Sequence, residues 1–283
     1  MEFKKEELIK SPLNYTGGKY KLLPQILPLF PNDINTFVDL FSGGCNVGIN
    51  VKANKIICND YMEQLILLYT YLKEHSIEET YTHINSRIEQ FNLSTTNKEG
   101  YLNMRKIYNE KRNALDLYVC ICYAFNYSIR FNSKGEYNIA FGKDRSCFNS
   151  ALQDRLKTFI KKIQDIYFIN KSFEQLDIDS LIKEDLVYCD PPYLITDANY
   201  NENGGWGEKR EYQLLEFLDK LNSKGIKFAL SNVLEHKGKS NDILKEWSKK
   251  YNIHKLNHNY GNCNYQTKDK SKDGSIEVLI TNY

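Results

Sequence analysis

Short apolar runs alternate along the chain with longer stretches in which apolar residues return every three or four positions. "NTFVDLF" (35–41) and "NKIICND" (54–60) read as buried strands, the first running into glycines and the second ending in an acid. A helix start is expected at "CNVGINV" (45–51). From about Tyr61 to Thr96 the pattern is helical, as in "YMEQLILLYTYLKEH", and residues 97–126 continue it. The polar, glycine-punctuated stretch "RFNSKGEYNIAFGKDR" (130–145) predicts a hairpin or loop. Strands resume at "IYFIN" (166–170), "DLVYC" (185–189) and "IKFALSN" (226–232). Between the last two lies the helix "EYQLLEFLDKLNSKG" (211–225), with Gly225 as its C-cap. "IEVLITNY" (276–283) is one more strand.

Strands alternating with helices predict an α/β fold with an open parallel sheet, and the helical middle reads as an insertion of about 90 residues. In such sheets ligands bind at the carboxyl ends of the strands, near the point where strand order reverses. "FSGG" (41–44), "ND" (59–60) and "DPPY" (190–193) all fall at such ends and are expected to share one crevice.

Composition narrows the class. Hydrophobic residues make up 41% of 283, enough for a sizeable core, and no run approaches the roughly 20 apolar residues of a membrane span. The start, "MEFKKEELIK", is charged and lacks the apolar region of a secretory signal. Seven cysteines without a C-x-x-C pair and five scattered histidines offer no metal-ligand spacing, so reduced thiols, a cytoplasmic setting and no metal are expected. The net charge of +2 hides an asymmetry. Residues 98–162 hold 13 Lys and Arg against 6 Asp and Glu, a local +7 that leaves −5 elsewhere. That segment is either a face for a polyanion or a solvated surface, and charge alone leaves both open.

"DLFSGGCNVG" (39–48) places a glycine turn after a strand, where backbone amides can approach a ligand closely. It fails the dinucleotide fingerprint, because the position two beyond Gly44 is Asn46, and no G-K-[ST] follows for a phosphate loop. Asp60 is placed either to accept from ribose hydroxyls or to cap the next helix. In "DPPY" the prolines end the strand, since neither has an N–H for a ladder. They hold the Asp190 carboxylate and the Pro191 carbonyl as acceptors, with Tyr193 as an aromatic face. Acceptors aimed at an exocyclic amine favour its pyramidal, cationic form during attack on an electrophile. A plain Pro-Pro turn with a capping Asp is the structural alternative.

In order, "SPLNYTGGKYKLLPQI" (11–26), "FVDLFSGGCNVG" (37–48) and "DPPY" (190–193) resemble the Dam-type (D12 class, alpha group) DNA adenine-N6 methyltransferases. "YLNMRKIYN", "FNYSIRFNSKGEYNIAFGK", "NKSFEQL", "FALSN" and "EVLITN" extend the likeness over nearly the whole chain. The resemblance implies a Rossmann-like S-adenosylmethionine-dependent methyltransferase sheet with an inserted, mainly helical target-recognition domain: 1–60 catalytic, 61–154 inserted, 155–283 catalytic. It would place Tyr15, Gly17, Gly18 and Lys19 around S-adenosylmethionine. Asp39 and the turn Phe41, Ser42, Gly43 and Gly44 would hold its methionine part, Asp60 its ribose, and Phe173 would pack beside its adenine. Asp190 would contact both cofactor and target amine, with Pro191 as a second acceptor and Tyr193 stacking on the base.

The middle segment then reads as the contact to double-stranded DNA. By the resemblance, Phe125 would wedge into the duplex, Arg130 would read guanine, and Asn126, Ser128, Asn132 and Ala140 would lie along the same hairpin. Arginine presents two parallel donors to guanine, worth about 1–3 kcal/mol of discrimination, although a phosphate contact would add affinity alone. The likeness makes GATC a candidate target, but Ser128 stands where GATC-methylating enzymes often have an apolar residue and Ala140 where they often have proline, both at positions that would sense thymine methyls, so these two departures count against it. The implied reaction is in-line methyl transfer to N6 of a flipped-out adenine. An RNA adenine methyltransferase, an idle DNA-binding protein of the same fold and a Rossmann oxidoreductase are the other readings. A cognate restriction endonuclease is the one protein partner the resemblance suggests.

Overall fold

The computed structural model describes residues 8–196, 206–257 and 274–283. Its strands are β1 (Thr36–Asp39), β2 (Lys55–Asn59), β3 (Ile166–Ile169), β4 (Leu186–Cys189), β5 (Lys227–His236), β6 (Lys239–Ser240), β7 (Asn252–Leu256) and β8 (Ile276–Thr281). Its α-helices are α1 (Leu23–Ile26), α2 (Glu63–Glu74), α3 (Ile77–Gln90), α4 (Lys98–Lys111), α5 (Ala114–Tyr123), α6 (Ser150–Lys162), α7 (Glu208–Ser223) and α8 (Asp242–Ser248).

The sheet runs β3-β2-β1-β4-β5-β8-β7, with β6 pairing on β5. Strands β1 to β5 pair in parallel, while β8 enters antiparallel between β5 and β7. Strand order reverses between β1 and β4, where Asp39 pairs with Tyr188. That is the switch point at which such sheets open a crevice.

Alternate residues of the strands face opposite layers, as a period of two requires. Phe37, Leu186, Tyr188, Ala229 and Leu279 pack against Leu23, Ile26 and Leu27 of the N-terminal segment. Val38, Val187, Phe228, Leu230 and Ile280 pack against α7 and α8. Each of the Val, Leu, Ile and Phe side chains among them contributes about 1.5–3 kcal/mol by leaving water. The same parity turns Asp39, Tyr188, Ser231 and Glu277 to the N-terminal-segment face, and the Tyr188 and Ser231 hydroxyls are 2.8 Å apart.

Helices α2 to α6 intervene between β2 and β3, and they share one buried cluster with Cys58 of β2 and Ile166 of β3. The expected boundary between residues 154 and 155 falls inside α6. Side-chain caps start these helices: Ser76 and Glu79 form a capping box on α3, and Asn97, Asn113 and Asn149 cap α4, α5 and α6. The 130–145 stretch is a short irregular hairpin, bridged at Ala124–Phe141 and Phe131–Tyr137.

One expected element does not form. Residues 46–50 make successive turns instead of a helix. Asn50 is occupied by Ile9, accepting from its N–H at 2.8 Å and donating to its carbonyl at 2.8 Å, which fastens the turns to the N-terminal segment. Gly48 lies so close to β2 that a Cβ there would stand 2.4 Å from Cys58 Sγ. The loop after β1 therefore has no helix dipole behind it, and its Ser42, Gly43, Cys45 and Gly48 amides are engaged within the protein.

Candidate active site

The carboxyl ends of β1, β2 and β4 open onto a cavity of about 900 Å³. All fourteen positions expected from sequence to bind cofactor or to catalyse line it, from Tyr15 through Asp60 and Phe173 to Tyr193. Of the expected DNA-contacting residues, Arg130 alone does.

The floor is the turn after β1. Ser42 N–H donates to the Asn59 carbonyl at 2.8 Å, and Gly43 N–H donates to Asp60 Oδ2 at 2.8 Å. Gly43 has φ +45°, and a Cβ on it would meet the Tyr15 ring at 2.8 Å, so only glycine lets this ring cover the turn. Asp60 Oδ1 accepts from Met62 N–H at 2.8 Å, so Asp60 ties the turn to the start of α2. Each of its oxygens keeps a further lone pair for a ligand.

Asp39 is almost wholly buried, and its Oδ2 accepts from Gly48 N–H at 3.1 Å. Asp39 Oδ1 and Ser42 Oγ are buried with no hydrogen-bond partner. Burial is the main cause that raises the Asp39 carboxyl to about 8, with the Asp190 charge adding to it. Two unsatisfied buried polar atoms in a cavity wall are costly unless a ligand meets them. They suit a ligand that carries an amine. Beyond them lie Phe41, Phe173 and Trp206, with neighbouring ring centroids 5.7 and 6.1 Å apart. The Arg210 guanidinium carbon is 4.9 Å from the Phe173 ring centroid and pairs with Glu174. This aromatic wall suits a flat heterocycle.

Opposite stands a cluster of charges. Lys19 Nζ, 4% exposed, is 2.8 Å from Asp190 Oδ1 and donates to the Gly17 carbonyl at 2.8 Å. Tyr193 Oη donates to the same Asp190 Oδ1 at 3.0 Å. Burial raises the Asp190 carboxyl, while Lys19 and the Tyr193 hydroxyl oppose the rise. Among the described residues both donors to Asp190 fall on Oδ1, which leaves Oδ2 for a ligand.

The hairpin residues stand apart. Phe125 is 47% exposed, with the Arg145 guanidinium carbon 5.7 Å from its ring centroid. Its N–H donates to the Ala140 carbonyl at 2.7 Å, which brings the two expected contact points together. Asn126 has φ +54° and its carbonyl accepts from Asn14 at 2.8 Å. The Ser128 carbonyl accepts from Tyr137 Oη at 2.7 Å. Asn132 Oδ1 accepts from the Lys134 and Glu136 amides, so its side chain is engaged within the turn. Arg130 Nε donates to Asn138 Oδ1 at 3.0 Å, an orientation that keeps both terminal nitrogens for another partner.

Sequence reasoning missed Trp206, Arg210 and Glu277. Trp206 sits in "GGWGEK", where no periodicity marks it. Glu277 carried a signal, an acid inside the apolar run "IEVLIT". Among the described residues no group of His, Cys, Asp and Glu has the arrangement of a metal site, and no helix is long and apolar enough to cross a membrane.

A family model described as D12 class N6 adenine-specific DNA methyltransferase matches residues 15–262. The Type II methyltransferase M.FokI of Planomicrobium okeanokoites is 52% identical over 286 residues, covering 99% of this chain and 44% of that protein. The modification methylase StsI of Streptococcus sanguinis is 48% identical, covering 98% and 43%. A DNA adenine methylase of Salmonella typhi is 29% identical over 255 residues, 86% of this chain and 85% of its own. The chain thus spans less than half the length of the first two relatives.

Proposed function

The chain belongs to the D12 class N6 adenine-specific DNA methyltransferases, and we propose that it transfers a methyl group from S-adenosylmethionine to N6 of an adenine flipped out of a short duplex site. The observation that carries this reading is Asp190, fixed through Oδ1 by Lys19 and Tyr193 at the edge of the cavity that holds the unsatisfied Asp39 Oδ1 and Ser42 Oγ. In this reading residues 61–154 are the target-recognition part between two catalytic stretches.

The residues fit S-adenosylmethionine. Asp39 Oδ1 and Ser42 Oγ would meet its amino-acid end, Asp60 its ribose hydroxyls, and Phe41, Phe173 and Trp206 its adenine. When bound, it supplies an electrophilic methyl group. Asp190 Oδ2 and the Pro191 carbonyl accept from the two amine hydrogens of the target base, which favours the tetrahedral nitrogen needed for attack. Tyr193 lies along the base, and its bond to Asp190 holds ring and carboxylate as one unit. Flipping costs a few kcal/mol, which contacts from the basic 98–162 face offset. Arg130 reads a guanine with its terminal nitrogens, and GATC is the candidate context. A cytoplasmic modification enzyme acting beside a cognate restriction endonuclease is the matching role.

The test is incubation with S-adenosylmethionine and unmethylated double-stranded DNA, followed by base-resolved detection of N6-methyladenine, with Asp190→Ala alongside. Methylation in one short context, absent with the variant, is expected. Absence of methyl transfer by the wild type to any adenine would overturn the reading.

A further inference from the structure

Glu277 stands at the amino end of β8, opposite Val233 of β5. Because β8 runs against β5, this end of it lies beside the carboxyl ends of β1 and β4. Glu277 is 5% exposed, an unusual setting for a carboxylate unless its oxygens have partners. They do. Glu277 Oε1 is 3.3 Å from Tyr193 Oη and 3.8 Å from Lys19 Nζ. These are the same two groups that bond Asp190 Oδ1 at 3.0 and 2.8 Å.

We propose that Glu277 is a positioning residue for methyl transfer, holding the Lys19 ammonium and the Tyr193 hydroxyl so that both engage Asp190 Oδ1 and Asp190 Oδ2 stays directed at the target amine. The inference rests on the function proposed above. Lys19 is the tip of a flexible four-carbon stem. Its carbonyl contact at Gly17 fixes it on one side, and Glu277 supplies the opposite charge on another. The Tyr193 hydroxyl has one proton for two carboxylates, so its rotation is fixed by both. Among the described residues the titratable groups facing Glu277 are Lys19 from the N-terminal turn, Tyr188 of β4, and Asp190 and Tyr193 from the loop after β4. Burial and the Asp190 charge raise the Glu277 carboxyl, and Lys19 opposes them. Glu277 holds Lys19 Nζ and the Tyr193 hydroxyl from the side away from Asp190, so its loss lets both donors shift and Asp190 turn with them.

The experiment compares wild type, Glu277→Ala and Glu277→Gln for kcat on duplex DNA across pH, for S-adenosylhomocysteine affinity by calorimetry, and for thermal unfolding without ligand. Misplacement of Asp190 is expected to lower kcat about 100-fold. Affinity for S-adenosylhomocysteine is expected to stay within about threefold. With one of two mutually repelling acids gone, the acid limb of kcat moves to lower pH in Glu277→Gln. Should the alanine chain fail to fold, Glu277→Asp keeps the charge with a shorter reach, and a kcat loss of about tenfold without loss of affinity is expected. An active wild type with variants of unchanged kcat overturns the role of Glu277 alone. So do variants whose affinity and unfolding temperature fall in step with kcat. A wild type that methylates no DNA overturns the functional reading, and this inference with it.

Discussion

The Trp206 indole N–H donates to Glu211 Oε2 at 2.8 Å, and both residues are buried. The other Glu211 oxygen accepts from Asn241 at 3.0 Å and from Asn232 at 3.4 Å. Three neutral donors thus hold one buried carboxylate, and the carboxylate fixes the ring that closes the aromatic wall with Phe41 and Phe173. Trp206→Phe keeps an aromatic surface and removes the indole donor. Loss of about 1–3 kcal/mol of stability in chemical denaturation is expected, together with weaker S-adenosylhomocysteine binding. A variant as stable as the wild type would show that Glu211 does not depend on the indole.

Asp39 makes stability depend on pH. Its carboxyl is raised from 3.8 to about 8, mainly by burial. The folded protein therefore binds this proton more tightly than the unfolded chain does. The associated stability is fully present below pH 4 and is lost as pH rises from about 4 to about 8. Asp39→Asn keeps an acceptor for Gly48 and removes the titration. Relative to the wild type without ligand, it is expected to gain on the order of a few kcal/mol between pH 5 and pH 8. Parallel stability-pH curves for the two proteins would contradict this.

Gly43→Ala tests how tightly Tyr15 covers the turn. A Cβ would meet the Tyr15 ring at 2.8 Å on a backbone with φ +45°. We expect about 1–2 kcal/mol of destabilisation from the strained backbone. Tyr15→Ala in the same chain should restore the part that comes from the ring clash, and a double-mutant cycle by thermal unfolding measures it.

Arg130 and Asn138 separate base reading from phosphate binding. With Nε held by Asn138, the two terminal nitrogens are left to form parallel donors. Arg130→Lys should keep general DNA affinity while losing about 1–3 kcal/mol of discrimination at one base. Asn138→Ala should lose part of that discrimination with the charge unchanged. Sequencing of the methylated contexts checks both, and an unchanged context in Arg130→Lys would assign the arginine to phosphate.

The basic 98–162 segment predicts steep salt dependence. Log affinity for duplex DNA should fall linearly with log salt, with a slope of about −0.9 per neutralised phosphate. Fluorescence anisotropy at several salt concentrations measures it, and a flat line would remove this face as the DNA surface.

Much of the sheet was legible because strands buried on both faces read as plain apolar runs. β1, β2, β4 and β8 lie within the runs expected for them. The cavity floor was legible for a different reason: "FSGG" and "DPPY" carry backbone constraints that few residues satisfy. Residues 45–51 misled because Asn46, Gly48 and Asn50 look like helix-start polarity, whereas Asn50 serves the distant Ile9. Helix α6 was not anticipated, and neither were α8 and β7, whose exposed faces dilute the apolar signal. Trp206 joined the site through tertiary packing that nothing in its immediate neighbours encodes, whereas Glu277 was marked as an acid inside an apolar run without any sign of which site it would join.

The insertion of β8 between β5 and β7 ties the charge cluster to the antiparallel part of the sheet. Lys19 stands ahead of β1 and Glu277 on β8, far apart along the chain, yet both belong to one cluster. Were β8 to part from β5 with β1 to β5 still paired in parallel, β5 would have an open edge and Tyr193 would keep the Asp190 contact while losing the Glu277 one. The cluster is therefore whole only while β8 stays paired, so local opening of one antiparallel seam would disturb groups on the parallel side of the cavity.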